Sequence, residues 1–228
     1  MAHDEWRKQL RIGVAQHDGT AIVQLLEDDV PDEGLQHAGD AVLCALVAEP
    51  GAAAEVAMRI AGALRARCWN GDDELADAIE AALGRRPTAL APVSIDLELF
   101  ADALTESAGS VGYLDLQTGF VVTEAMLDLG GEDDDADFDD RKRWLPVAGE
   151  GSDETYRDMQ HFLATVTDPR LARRLTNATD GQGAFRRFYD VIASEPTEHT
   201  RWQRYSDDAR LGRARSWLAD HGYQPAIR

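Results

Sequence analysis

The stretch SAGSVGYLDLQTGFVVTEAML, residues 107–127, is where this chain stops reading as helix. VGYLDL and FVVTEA flank a Gln-Thr-Gly turn, and their β-branched and aromatic content predicts a hairpin. Gly119 allows the positive φ that a short bulged loop requires, while the side chains of Asp115 and Thr118 can hydrogen-bond the turn backbone. RWLPVAG, 143–149, predicts a third strand, with Pro146 marking an edge strand or a strand end. A small antiparallel sheet set among helices makes the fold class α+β.

Upstream the text is helical only. TAIVQLLEDDV, DAVLCALVAEP, AAEVAMRIAGALRARC and DELADAIEAALG carry apolar residues at three- and four-residue spacings, broken at Pro31, Pro50–Gly51, Asn70–Gly71 and Gly84. Four or five short helices are expected, forming a helical domain over 1–88. RRPTALAPVS, 85–94, has two prolines and no apolar period and reads as a linker to an α+β domain over 94–228. In that domain Ser94 is expected to cap a helix bearing Leu97, Phe100, Ala101 and Leu104 and ending near Gly109. Downstream, Ser152 opens one helix, Asp168–Pro169 caps a second that stops at Gly181, and GQGAFRRFYDVI gives a third. TEHTRWQRY, 197–205, has helical spacing, and the last helix is expected to begin at Ser206 or Asp207 and end at Gly222.

Charge is distributed unevenly over the 228 residues. The net charge of −19 divides into −8 over residues 1–92, −14 over 93–167 and +3 over 168–228. Phosphate backbones and anionic membranes are repelled by such a surface as a whole, although a local arginine patch can still hold one anion. The longest apolar runs fall short of the ~18 residues of a membrane helix. With a charged start and no apolar signal region, a cytoplasmic protein is expected. Cys44 and Cys68 both lie in apolar helical text and read as buried thiols without zinc or redox spacing.

GYLDLQTGFVV, an acidic stretch, RWLPV, a helix with MQHFLATV, GQGAFRRFYDVI and a terminal region from Trp202 to Trp217 together resemble the bacterial uncharacterised protein family zero-one-five-eight, over roughly residues 94–224. The resemblance implies no activity and transfers no catalytic residue, cofactor or partner.

Binding candidates come from the arginines and the acidic run. At 100° per residue, Phe185, Phe188, Tyr189 and Ile192 form the core stripe of their helix. Arg186 has Asp190 as its i,i+4 partner, and Arg187 points nearly opposite the stripe. Arg187 is then either solvated or interhelical, or it closes over an anion at the open N–H groups near Gly181 and Gly183. Arg201 and Arg204 interleave with Trp202 and Tyr205, a pattern that fits base stacking or core packing. Seven acidic residues occupy positions 132–140; Asp133, Asp134, Asp135 and Asp137 are the metal candidates, against a solvated loop between strands, and Phe138 within the run is a candidate docking anchor. His161 reads as a core-edge side chain, and the histidines show no metal-pair spacing.

No nucleophile motif is present, and no cofactor is expected. The expected function is a non-enzymatic protein-interaction or regulatory role, with an acidic surface and a local arginine patch meeting a protein partner. The alternatives are a metal-dependent enzyme acting on a phosphorylated or nucleotide substrate, and nucleic-acid binding through the C-terminal arginine and aromatic patch.

Overall fold

In a computed structural model of the chain, residues 3–28, 30–105, 111–123, 126 and 137–227 are described. They contain ten α-helices and two small sheets, an α+β arrangement. The first five helices are α1 (His3–Gln16), α2 (Gly19–Leu26), α3 (Leu35–Ala48), α4 (Pro50–Arg67) and α5 (Asp72–Ala82). They stop where the sequence breaks them: Pro50 opens α4, Gly71 takes φ +77° before α5, and Asp18 caps α2 by accepting from the Ala21 N–H at 2.9 Å. Their apolar faces meet in one buried cluster running from Trp6 to Ile79.

The expected linker also carries structure. β1 (Ala91–Val93) pairs in parallel with β5 (Tyr223–Pro225), tying this segment to the C-terminal end. α6 (Leu97–Leu104) begins later than the Ser94 cap predicts, because Asp96 accepts from both Glu98 N and Leu99 N at 3.1 Å. Its expected end near Gly109 lies outside the described residues.

β2 (Val111–Asp115) pairs antiparallel with β3 (Val121–Thr123) on one side and with β4 (Trp144–Ala148) on the other. Pro146 therefore sits on an edge strand, opposite Tyr113, where its missing N–H disrupts no ladder. In the hairpin turn Asp115 accepts from Gln117 N and Thr118 from Phe120 N. Gly119 has φ +74°, and a Cβ there would fall 1.6 Å from the Ser94 carbonyl oxygen, so both conformation and space require glycine. Phe138 stacks on Tyr113 at 4.3 Å and meets Trp144 at 4.9 Å, so its ring packs on its own sheet.

Four helices complete the fold: α7 (Ser152–Thr165), α8 (Pro169–Thr179), α9 (Ala184–Ile192) and α10 (Pro196–Asp220). The break expected at Ser206 or Asp207 is absent, and α10 runs 25 residues without interruption. Those residues had resembled a cap because Ser and Asp favour helix starts. Here Asp207 instead pairs with Arg7 and Arg210, and Asp208 points into the interior. At ~1.5 Å per residue, α10 spans roughly 38 Å. Its Leu211, Ala214 and Leu218 join a cluster with α6 and the sheet, while Trp202 and Tyr205 join Phe162, Phe188 and Ile192 in another. Being covered on several sides, α10 has no single polar face, so its interior charges need partners. Among the described residues no helix is long and apolar enough to cross a membrane.

Candidate functional site

The α4–α5 turn lies directly on α10. A Cβ at Gly212 would fall 2.0 Å from the Asn70 carbonyl oxygen, and one at Gly71 would fall 2.2 Å from the Gly212 carbonyl oxygen. Two glycines therefore let the backbones touch. A buried polar network holds the turn there. Arg67 donates through Nε to Asp72 at 2.9 Å and also reaches Asp208. Asp72 further accepts from Trp69 N at 2.8 Å and from Gln36 Nε2 at 2.9 Å. Gln36 donates its backbone N–H to Asp208 at 3.0 Å and accepts from Arg215 Nε at 3.0 Å. Burial pushes the Asp208 carboxyl up to about 6, against the opposing pull of Arg67. Removing one partner from such a buried pair costs about 3–5 kcal/mol.

Clamped in this position, the turn walls a cleft of about 240 Å³ between itself, α7 and α10. Helical geometry selects the other two walls. Asp158, His161 and Thr165 stand at i, i+3 and i+7 on α7, and Tyr205, Ala209 and Arg213 at i, i+4 and i+8 on α10. Ala209, small and central, leaves the space between Tyr205 and Arg213 open. From the turn come Cys68, Trp69 and Asn70.

The interior of the cleft is ionic and aromatic. Arg213 Nη1 donates to both Asp158 oxygens at 2.9 Å, and its Nε donates to Glu150 at 3.0 Å. Burial raises both carboxyls above their usual range even though Arg213 draws them down. Tyr205, 4% exposed, has its phenol pushed up to about 12, first by burial and then by the Asp158 charge. Its hydroxyl and Nη2 of Arg213 have no hydrogen-bond partner among the described residues. The Trp69 and Tyr205 rings meet edge to face at 4.6 Å, and the Arg67 guanidinium lies 4.1 Å from the Trp69 centroid.

Two expectations are corrected here. Cys68 is exposed, because it ends α4 in the left-handed region at φ 57°, which swings its side chain out of the apolar stripe. His161 is exposed at the cleft mouth, while its neighbour Phe162 takes the core position.

The model of the uncharacterised protein family UPF0158 matches residues 90–228. The chain belongs to this family. It is 29% identical over 142 residues to the UPF0158 protein PA5073 of Pseudomonas aeruginosa, a match covering 60% of this chain and 89% of that relative. No solved structure matches. The α7 and α10 walls lie inside the UPF0158 segment, whereas Cys68, Trp69 and Asn70 lie before it. With 89% of PA5073 used by the match, the rest of that relative is far too short for five further helices.

The residues singled out by sequence are dispersed over the surface and core. Arg187 donates to the carbonyls of Ala178 at 3.1 Å and Asp180 at 2.6 Å, and also to that of Gln182, so it closes the C-terminal end of α8. Arg186 is 90% exposed and faces Asp190 at 3.9 Å. Trp202 is core, 2% exposed. Arg201 pairs with Glu198 and Glu33 and donates at 2.7 Å to Thr165, a cleft residue, so it adjoins the site. Arg204 is half-buried and engaged within the chain. Asp133, Asp134 and Asp135 lie outside the described residues, and Asp137 accepts from Asp139 N at 3.1 Å. Among the described residues no group of three or more His, Cys, Asp or Glu is arranged to hold a metal ion. Sequence reading missed the cleft, although Tyr205, Ala209 and Arg213 share a face once α10 is taken as one helix.

Proposed function

We propose that this protein is a non-enzymatic binding or regulatory protein whose cleft between α7, α10 and the 68–70 turn takes a small polar molecule. The observation that carries this reading is the pair of unfilled donors, the Tyr205 hydroxyl and Arg213 Nη2, both on side chains more than nine-tenths buried. Neither donor is sealed from solvent, so a ligand acceptor at that point takes the place of water. The volume is below the ~300–1,000 Å³ of sites for drug-sized ligands, so the ligand is small. Cytoplasmic location belongs to the same proposal and agrees with two free cysteines.

The test is equilibrium dialysis of the full chain against a mixture of small polar metabolites, read by mass spectrometry beside an Ala209→Trp variant that fills the cleft. Retention by the unaltered protein and loss in the variant is expected. Equal retention by both, or retention by neither, refutes the reading. The net charge of −19 favours a second reading, docking of a basic protein partner on the acidic surface. Its complexes should be lost from pull-downs as salt rises from 50 to 500 mM, and salt-insensitive capture would count against it.

A further inference from the structure

Inside the cleft the hydrogen-bonding groups stand in a definite order. The Asp158 carboxylate is an acceptor, and beside it, held by that carboxylate, Arg213 presents Nη2 as a donor. Tyr205 lines the same cleft and adds a second donor. An acceptor next to donors is complementary to a ligand edge with an N–H next to a C=O. The aromatic wall of Trp69 and Tyr205 suits a flat ring. Two carboxylates, Glu150 and Asp158, share one guanidinium, so the immediate balance is negative and discourages a phosphate. A saturated polyol matches the hydrogen bonds but not the wall. An isolated cation matches Asp158 but meets Arg213.

We infer that the cleft selects an uncharged planar heterocycle with a lactam edge, of the uracil or hypoxanthine type, and that Trp69, brought by the helices preceding the UPF0158 segment, is its specificity-determining wall. The inference rests on the reading of the cleft as a binding site and adds the ligand class to it. The ring N–H donates to Asp158, and the adjacent carbonyl accepts from Arg213 Nη2 and the Tyr205 hydroxyl. The ring lies against Trp69.

Isothermal calorimetry on the full chain tests this with uracil and hypoxanthine as probes, and with 1,3-dimethyluracil, 1-methylhypoxanthine and adenine as comparators whose lactam N–H groups are blocked or absent. At least one lactam base is expected to bind at least tenfold more tightly than its methylated form and adenine. Trp69→Leu should weaken it roughly 5- to 150-fold, the equivalent of ~1–3 kcal/mol for loss of one stacking contact. The comparison of bases uses only the unaltered protein and holds whether or not the variant folds. Equal binding of methylated and unmethylated bases, or no binding of either lactam base, overturns the inference. If dialysis still shows a different molecule retained and then lost in Ala209→Trp, the cleft reading survives that failure. If a lactam base binds but Ala209→Trp binds it equally well, the site lies elsewhere and both fall.

Discussion

Gly212→Ala has opposite predicted signs depending on whether the α10 backbone touches the α4–α5 turn. In an open helix, replacing glycine by alanine stabilises by about 1 kcal/mol. At position 212 the new Cβ would stand 2.0 Å from the Asn70 carbonyl oxygen, with the Asn70 carbonyl carbon at 3.1 Å. These are backbone atoms, so no rotamer change relieves the overlap and the turn must lift. Overpacking of this kind costs about 1–3 kcal/mol. Lifting the turn also loosens the Arg67–Asp208 pair, worth about 3–5 kcal/mol if wholly broken. Partial loosening gives a net loss of about 2–4 kcal/mol. For a chain of this size that corresponds to a fall in Tm of roughly 4–16 °C by differential scanning calorimetry. Gly62 is the internal control: it lies in α4 with nothing within 4 Å of its would-be Cβ, so Gly62→Ala should raise Tm. If Gly212→Ala stabilises as Gly62→Ala does, the backbone contact that builds the cleft wall is not there.

Other changes test separate parts of the structure. Asp208 has its folded-state carboxyl raised to about 6 from an ordinary 3.8, so between those values the folded chain binds more protons than the unfolded one. Its contribution therefore declines as pH rises from 4 to 7, and Asp208→Asn should gain up to about 3 kcal/mol relative to wild type over that interval in urea titrations; parallel profiles would contradict it. Arg187→Ala leaves the last carbonyls of α8 uncapped and should cost about 1–2 kcal/mol by chemical denaturation, without changing ligand retention in dialysis. Arg186→Ala, at an exposed pair separated by 3.9 Å, should stay within about 0.5 kcal/mol of wild type in the same assay. Gly119→Ala should lower Tm more than Gly62→Ala raises it, because φ +74° and the Ser94 carbonyl both oppose a side chain there.

Local chemistry made much of the fold legible in the sequence. Apolar periodicity and the breaks at Pro31, Pro50 and Gly71 gave the first helices, and the Gln-Thr-Gly turn with Pro146 gave the hairpin and its edge strand. Each depends on residues a few positions apart, where propensity and turn geometry act. The stripe of Phe188 and Ile192 likewise needed only the helical period. What failed locally was the start of α10: Ser206 and Asp207 have the chemistry of a cap, and nothing nearby reveals that Arg7, 200 positions away, claims Asp207 instead. The candidate site depends on such long-range pairings throughout. Asp158 meets Arg213 across 55 positions and Arg67 meets Asp208 across 141, while Trp69 reaches Tyr205 because two glycines permit backbone contact. Sequence determined which faces are apolar and where the chain turns. Only tertiary packing decided which charges lose water together, because desolvation is set by what covers a residue and not by its neighbours in the chain.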